Sequence, residues 1–307
     1  MSDAYDVIII GGGPAGLTAG MYCARARLKT LLLEKAFTGG QIVNTERVEN
    51  YPGFPDGISG FDLGMLMQQQ AQKYGLQIVY AEVSSINNKS NYEKIVDTNE
   101  GSFVAKSLII AGGAEHNHLD VPGEQEFVGR GVSYCATCDG AFYKDQDVAI
   151  VGGGDSAVVE AIALTRFASK VYLIHRRDAL RASKIVQEQA LSNPKIEFVW
   201  DTVVLAIEGD AKIEDLKISN VKTQKQTTLK VAAVFVSVGL HPNTAFVKDI
   251  VSLDKGGYII ANEKMETGVD GIYTAGDIRL NSVRQVIAAA GDGATAALNA
   301  ERYLLES

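Results

Sequence analysis

Cysteine is scarce in this chain, with three in 307 residues. Three cannot build the paired framework of a small secreted domain. Basic residues are also in deficit, 29 Lys and Arg against 37 Asp and Glu, for a formal net charge of -8. That balance argues against nucleic acid, because phosphate-tracking proteins carry a basic surplus. No segment approaches the ~18 uninterrupted apolar residues of a membrane-spanning helix. The opening "MSDAYDVIII" has no basic n-region, and its apolar run is too short for a signal peptide. The expectation is a cytoplasmic chain with no nucleic-acid and no membrane partner. What is present (46% hydrophobic, 21% charged, 31 Gly, 6 Pro) suits an ordinary α/β protein, and the length favours two domains.

Two of the three cysteines share one short stretch, "GVSYCATCDGAFY", where Cys135 and Cys138 are followed at once by Asp139. The spacing alone allows a redox pair, half a zinc site or chance.

A diverged internal repeat orders the rest. "DVIIIGGGPAGLTAGMYCARARLKTLLLEK", Asp6 to Lys35, aligns without a gap with "DVAIVGGGDSAVVEAIALTRFASKVYLIHR", Asp147 to Arg176. Each copy reads as strand, glycine turn, helix and second strand, the start of a Rossmann unit. In the first, Gly11, Gly13 and Gly16 form GxGxxG after an apolar strand. These glycines serve the tight turn, the approach of a pyrophosphate and close helix packing, while the helix N-terminus offers N–H groups to phosphate. Glu34 ends the next strand, 18 residues beyond Gly16, where a carboxylate binds both hydroxyls of a ribose.

In the second copy Gly152 and Gly154 remain, and Ala157 takes the third glycine's place. His175 occupies the position of Glu34 and begins "HRRDALR", with Arg176, Arg177 and Arg181. Losing the acid and gaining arginines suits a 2′-phosphate. Charge-assisted hydrogen bonds of roughly 1.5–3 kcal/mol each would give ~10–100-fold or more preference for NADPH over NADH. One copy therefore suits a ribose diol, as in FAD, and the other suits NADPH.

Between and after these units, an amphipathic helix is expected near 61–74 and short strands over 76–111. Another buried strand is expected over 231–239. "GYIIANEKMETGVDGIYTAGD" reads as two strands and an acidic glycine turn, before a helix-rich tail. That tail has no fingerprint of its own and is too short for a typical domain. The expected fold is α/β and three-layer: two Rossmann-like dinucleotide-binding domains, the NADPH domain inserted into the FAD domain. The FAD domain would comprise 1–114 and 243–307, and the NADPH domain 115–242, with a double-stranded hinge near 112–116 and 240–244.

"GGGPAG", "GGQI", "VENYPGFP", "CATCDG", "GGGDSA", "HRRDALR", "TAGD" and "RQVIAAAGDGA" stand in one order along the whole chain. In this the sequence resembles the low-molecular-weight, bacterial-type thioredoxin reductases. The resemblance implies that FAD is held by Gly11, Gly13, Gly16, Glu34, Lys35, Gly39, Gly40, Gln41 and Asn50. Asp277 would bind its ribityl–pyrophosphate region, with Arg284, Gln285 and Val286 near the isoalloxazine. NADPH would take Gly152, Gly154, Asp155, Ser156, His175, Arg176, Arg177 and Arg181. It further implies a redox disulfide between Cys135 and Cys138. Cys138 would face the flavin, Cys135 would attack the disulfide of a thioredoxin, and Asp139 would be the acid–base. A homodimer and a domain rotation about the hinge are also implied.

The hinge segment "AGGAEHNHL" departs from the family, with Gly112 where a threonine is common. His116 and His118 lack a third metal ligand and read as surface residues. Zinc at the CxxC fails on ligand count, since Cys23 lies 112 residues away inside the first helix and reads as core. Neighbouring readings keep the scaffold but change the donor to ferredoxin or change the acceptor, or make the chain a non-catalytic flavin redox sensor. The intact arginine cluster weighs against ferredoxin, and that cluster together with the Cys-Cys-Asp set weighs against a sensor.

Overall fold

A computed structural model describes residues 4–45 and 47–306. The few residues outside these ranges belong to the expected FAD domain. The chain divides into two compact units, Met1–Glu115 with His241–Ser307, and His116–Leu240.

The first unit begins with β1 (Tyr5–Ile10), α1 (Pro14–Arg25), β2 (Thr30–Glu34), α2 (Gly60–Lys73) and β3 (Gln77–Tyr80). A meander of β4 (Val83–Ser90), β5 (Glu93–Thr98) and β6 (Gly101–Ile110) follows, and then β7 (Ala114–His116). The second unit carries β8 (Val132–Ser133), α3 (Ala136–Asp139), β9 (Asp147–Gly152), α4 (Asp155–Leu164), β10 (Lys170–Ile174), α5 (Lys184–Leu191) and β11 (Ile196–Val199). It continues with β12 (Thr202–Gly209), β13 (Ile213–Asn220), β14 (Gln226–Lys230) and β15 (Ala233–Ser237). β16 (Leu240–Pro242) leads back to β17 (Ile272–Thr274) and α6 (Val286–Leu305) of the first unit. β7 and β16, where the chain crosses, pair with each other.

In the first unit β3, β2, β1, β6 and β17 run parallel in that spatial order. Parallel strands are covered on both faces, so β1 reads as a continuous apolar run, and Val7 to Ile10 are all buried. One face packs on α1 and α6 through Leu17, Cys23, Ala296 and Ala300. The other packs through Ile8, Ile10, Leu31 and Leu33 against the meander and the segment carrying Val247 and Val251. In α2, Ser59 caps the helix: its Oγ accepts from the Asp62 amide at 3.0 Å, and the Asp62 carboxylate accepts from Ser59 in return. Such a cap contributes about 1 kcal/mol.

The second unit repeats the plan. β11, β10, β9, β15 and β8 form a parallel sheet, with α4 and α5 on one face and the antiparallel β12, β13 and β14 on the other. Both units are three layers deep: helices, parallel sheet and an antiparallel or irregular layer.

One expected strand is missing. Residues 258–261 make only isolated bridges, through Ile259 to Leu253 and to Arg279. Ile259 donates to the carbonyl of Ile278, while Ile260 donates to Ser252. The backbone bonds of this apolar run go to two neighbours in turn, so no ladder extends. The expected helix-rich tail is one helix of 20 residues, α6. Among the described residues no helix is long and apolar enough to cross a membrane.

Lys94 of β5 has no exposed surface, and its ammonium donates to the carbonyls of Ser90 and Asn91, 5.7 Å from the Tyr303 ring centroid. Burial lowers its pKa to about 8, against some support from Asp270. Below pH 8 both folded and unfolded chains are charged there, and the full burial penalty stands. Between pH 8 and 10.5 the unfolded chain binds the extra proton, so stability rises with pH. Denaturant titrations across that window should show the wild type gaining about 2 kcal/mol more than Lys94→Met. Equal gains would mean that Lys94 does not carry the effect.

Candidate active site

Three constellations emerge. The first surrounds the glycine turn after β1. Gly11 has φ 107°, and a Cβ there would lie 2.4 Å from the carbonyl oxygen of Ala111. A Cβ at Gly16 would lie 1.9 Å from the Gly11 oxygen, so α1 can approach the turn only without one. Gly13 caps α1 with no side-chain partner and Pro14 follows, which leaves first-turn amides free for an anion. Glu34 folds back onto this turn, its Oε2 accepting from the Gly12 amide at 2.7 Å and its Oε1 from Ala36 at 3.0 Å.

The "GGQ" loop closes on the same place. Gly39 donates to the Gly12 carbonyl at 2.8 Å, and a Cβ at Gly40 would stand 3.0 Å from the Gly13 Cα. Gln41 is exposed just beyond, whereas Lys35 is drawn into an ion pair with Glu115 at 3.0 Å. Gly276 sits against the start of α1, 3.0 Å separating the Ala15 Cβ from the Cβ it lacks, and this brings Asp277 to the cradle. Burial raises the Asp277 carboxyl above its ordinary value, partly offset by the Ser282 hydroxyl donating at 2.7 Å. Asn50 donates to Gln285 Oε1 at 3.0 Å, joining two expected site residues 235 positions apart. Gln285 is the N-cap of α6, Val286 begins it, and Arg284 has φ 58° with its guanidinium 5.7 Å from the Tyr258 ring centroid. Free amides, crowded glycines and a returning carboxylate fit the diphosphate and ribose of a dinucleotide.

The second constellation follows β9. A Cβ at Gly152 would meet the Ser237 oxygen at 2.4 Å and the Ala157 Cβ at 2.5 Å, while Gly154 opens onto space. Gly154 caps α4 without a side-chain bond, and Ser156 is exposed in the first turn. Asp155 accepts from the Ser183 amide at 2.9 Å, which holds its carboxyl below the usual range. His175 is buried rather than displayed. Its ring fills the space beside Gly153, where a Cβ would lie 2.2 Å from Cε1, and its buried Nε2 has no partner. Burial chiefly, with Arg181 and Arg177 adding, keeps the ring below the ordinary histidine pKa despite the Gly152 and Ala179 backbone. Arg176, Arg177 and Arg181 are exposed, and none forms an ion pair with a described carboxylate. Open amides beside three uncommitted guanidiniums suit a phosphorylated ribose.

The third is the cysteine loop, in the same unit as the second. Cys135 and Cys138 form a disulfide with Cα atoms 5.3 Å apart, both half-buried around exposed Thr137. Cys135 is the N-cap of α3, and its Sγ accepts from the Cys138 amide at 3.2 Å. Burial raises the Asp139 carboxyl, and the Ser133 hydroxyl opposes this. Beside the pair, Tyr134 donates to buried Glu124 at 2.9 Å and meets His118 Nδ1 at 2.8 Å. His118 is exposed, but His116 is half-buried with its ring 4.9 Å from that of Tyr134. Among the described residues no cluster of three or more His, Cys, Asp or Glu could hold a metal.

Sequence reasoning missed Ser133, Glu124 and the Arg279–Asp292 pair. Asp292 accepts from Arg279 at 2.6 and 2.9 Å and from the Gly276 amide at 3.1 Å, pinning the turn that carries Asp277. A lone acid in the run "AAAGDGATAA" was a signal for that pair, because such a residue needs a partner when buried. Ser133 and Glu124 carried no comparable signal.

The family model for pyridine nucleotide-disulphide oxidoreductases matches residues 5–293. A thioredoxin reductase of Streptomyces coelicolor is 46% identical over 306 residues, covering 99% of this chain and 95% of its own. One from Bacillus subtilis is 45% identical over 303 residues, covering 98% and 95%. The crystal structure of thioredoxin reductase from Streptococcus pyogenes matches with a TM-score of 0.96 at 46% identity, over 100% of both chains. The chain belongs to the pyridine nucleotide-disulphide oxidoreductase family, among its bacterial-type thioredoxin reductases.

Proposed function

We propose that the chain is an NADPH-dependent thioredoxin-disulfide reductase. The observation that carries this is the Cys135–Cys138 disulfide, with Asp139 beside it, in the unit whose dinucleotide cradle ends in arginines rather than an acid. The unit bearing Glu34 takes FAD, and the unit bearing Arg176, Arg177 and Arg181 takes NADPH. When bound, the flavin supplies the relay between a hydride donor and a disulfide acceptor.

The chain's own residues perform the exchange with the partner. In the dithiol form the Cys135 thiolate attacks one sulfur of the thioredoxin disulfide; that S–S bond breaks, and the departing thioredoxin thiolate takes a proton. The Cys138 thiolate then attacks the Cys135 sulfur, re-forming the intramolecular disulfide and releasing the second thioredoxin sulfur, which takes another proton. Cys135 at a helix N-cap favours the thiolate needed for attack. Asp139 holds a proton to higher pH than a free aspartate, which suits it to protonate a departing thiolate. The protein acts in the cytoplasm as a homodimer on this reading.

Anaerobic titration with NADPH and NADH, followed by thioredoxin-coupled turnover, tests the proposal. NADPH should bleach the flavin at far lower concentration than NADH. Failure to bleach would point to another donor or a non-catalytic role. In Arg176→Ala with Arg177→Ala the preference for NADPH should fall ~10–100-fold, with flavin content unchanged. An unaltered preference would refute the phosphate assignment.

A further inference from the structure

We infer that Ser133 is a positioning residue for proton transfer, its hydroxyl serving as a rotating link between Asp139 and the backbone of Cys135. This deepens the thioredoxin-reductase reading and rests on it. Ser133 closes β8, is 4% exposed, and lies opposite Phe235 of β15, so its backbone is held by the parallel sheet. Its Oγ lies 2.7 Å from Asp139 Oδ2, accepts from the Cys135 amide at 3.1 Å, and lies 3.4 Å from the Cys135 carbonyl oxygen. One hydroxyl therefore has two acceptors in reach and one fixed donor.

A hydroxyl carries one proton and two lone pairs. When Asp139 is ionised, the Ser133 proton points to Oδ2, and one lone pair takes the Cys135 N–H. When Asp139 carries a proton on Oδ2, that O–H donates to the second lone pair of Oγ. The Ser133 proton then turns to the Cys135 carbonyl. Both protonation states are satisfied by rotation about one C–O bond, with no heavy atom moved. A half-buried carboxyl without such a partner would be left with an unmet group in one state or the other.

The surroundings leave this role to Ser133. With Cys135 and Cys138 joined as a disulfide, burial and the Ser133 hydrogen bond are the influences acting on the Asp139 carboxyl, with opposite signs, and the two thiols freed on reduction are the groups that join them. The charged groups on neighbouring elements (Asp155 and Glu160 of α4, and Lys144 and Asp145 past the following turn) add none. Glu124, the nearby buried carboxylate, is occupied by Tyr134 and by the amides of Leu119 and Asp120.

The test is Ser133→Ala with Ser133→Thr as rescue, both on the flavin-loaded protein, read by the pH profile of thioredoxin turnover. Asp139 acts as an acid only while protonated, so activity falls as pH rises through its pKa. Removing the hydroxyl takes a donor from the carboxylate, so this falling limb should move up by about one pH unit. The maximal rate should drop several-fold, with KM for thioredoxin unchanged, and threonine should restore both. A lowered rate with the limb in place, or no change at all, would overturn the inference. Should Ser133→Ala fail to fold, Ser133→Cys, a poorer donor, must shift the limb the same way or the inference falls. A second readout needs neither NADPH nor thioredoxin. The infrared carbonyl band of protonated Asp139, assigned by its loss in Asp139→Asn, should titrate about one pH unit higher in Ser133→Ala. An unmoved or lowered midpoint overturns the role of Ser133 even if thioredoxin is reduced. Conversely, a protein that fails to reduce thioredoxin but shows the shift loses the functional reading alone.

Discussion

Cys138→Ser should abolish steady-state reduction of thioredoxin, by roughly a thousandfold or more, while NADPH still bleaches the flavin. The variant keeps Cys135 at the start of α3 and the three cradling glycines, so cofactor binding has no reason to change. It has no intramolecular disulfide through which an electron pair can leave. Its Cys135 thiolate can still attack a disulfide on thioredoxin, but the chain has no second thiol to displace the partner, and only the thiol freed on thioredoxin itself can reverse the step. Challenged with a single-cysteine thioredoxin activated as a mixed aryl disulfide, which frees no such thiol, the variant should therefore accumulate a covalent adduct through Cys135, visible as a mass equal to both proteins and released by dithiothreitol. Two outcomes would reassign the resolving role: persistent thioredoxin turnover, or no adduct from dithiol-reduced protein.

Gly16→Ala should have the second-largest effect, a loss of flavin retention with destabilisation of about 3 kcal/mol or more. The added methyl would lie 1.9 Å from the Gly11 oxygen, a backbone atom that cannot yield without moving β1 or α1. The equivalent place in the second unit already holds a fully buried alanine, Ala157. The difference lies in the preceding turn. Gly11 has φ 107° whereas Gly152 is not in the left-handed region, so the two turns present their backbones differently to the following helix. Ala157→Gly should accordingly cost only about 1 kcal/mol, the usual helix penalty. Bound flavin per chain and denaturant midpoints measure both. Full flavin content in Gly16→Ala would show that the first turn is more pliant than its contacts imply.

The repeat made much of the fold legible, because both glycine turns and the strands and helices around them followed from one register. Glu34 folds back to its own turn as a strand-end acid should. His175, in the matching register, is instead packed under Gly153, and the exposed positive charge belongs to the arginines after it. Register identifies the position but not whether a ring turns inward, which depends on the space that a neighbouring glycine leaves. The run at 258–261 looked like a strand by its apolar residues, yet no single neighbour offers it a ladder. Ser133 was illegible for a different reason. Its importance comes from a turn that brings it back to Asp139 six residues later, and serine in a strand is otherwise unremarked. Asn50 and Gln285 were each named from the family motifs, but only folding joins them.

The discontinuity of the first unit also has a consequence for synthesis. β6 accepts β17 as its parallel neighbour, Leu108 facing Ile272, and α6 packs so tightly on α1 that a Cβ at Gly293 would lie 2.1 Å from the Ala15 carbonyl. Both partners emerge from the ribosome after the whole of His116–Leu240. The nascent N-terminal unit therefore waits with one sheet edge and one helix face uncovered while the contiguous second unit folds. The elements that seal the first sheet are made only after the second unit, which makes translation through α6 the committing step in assembly.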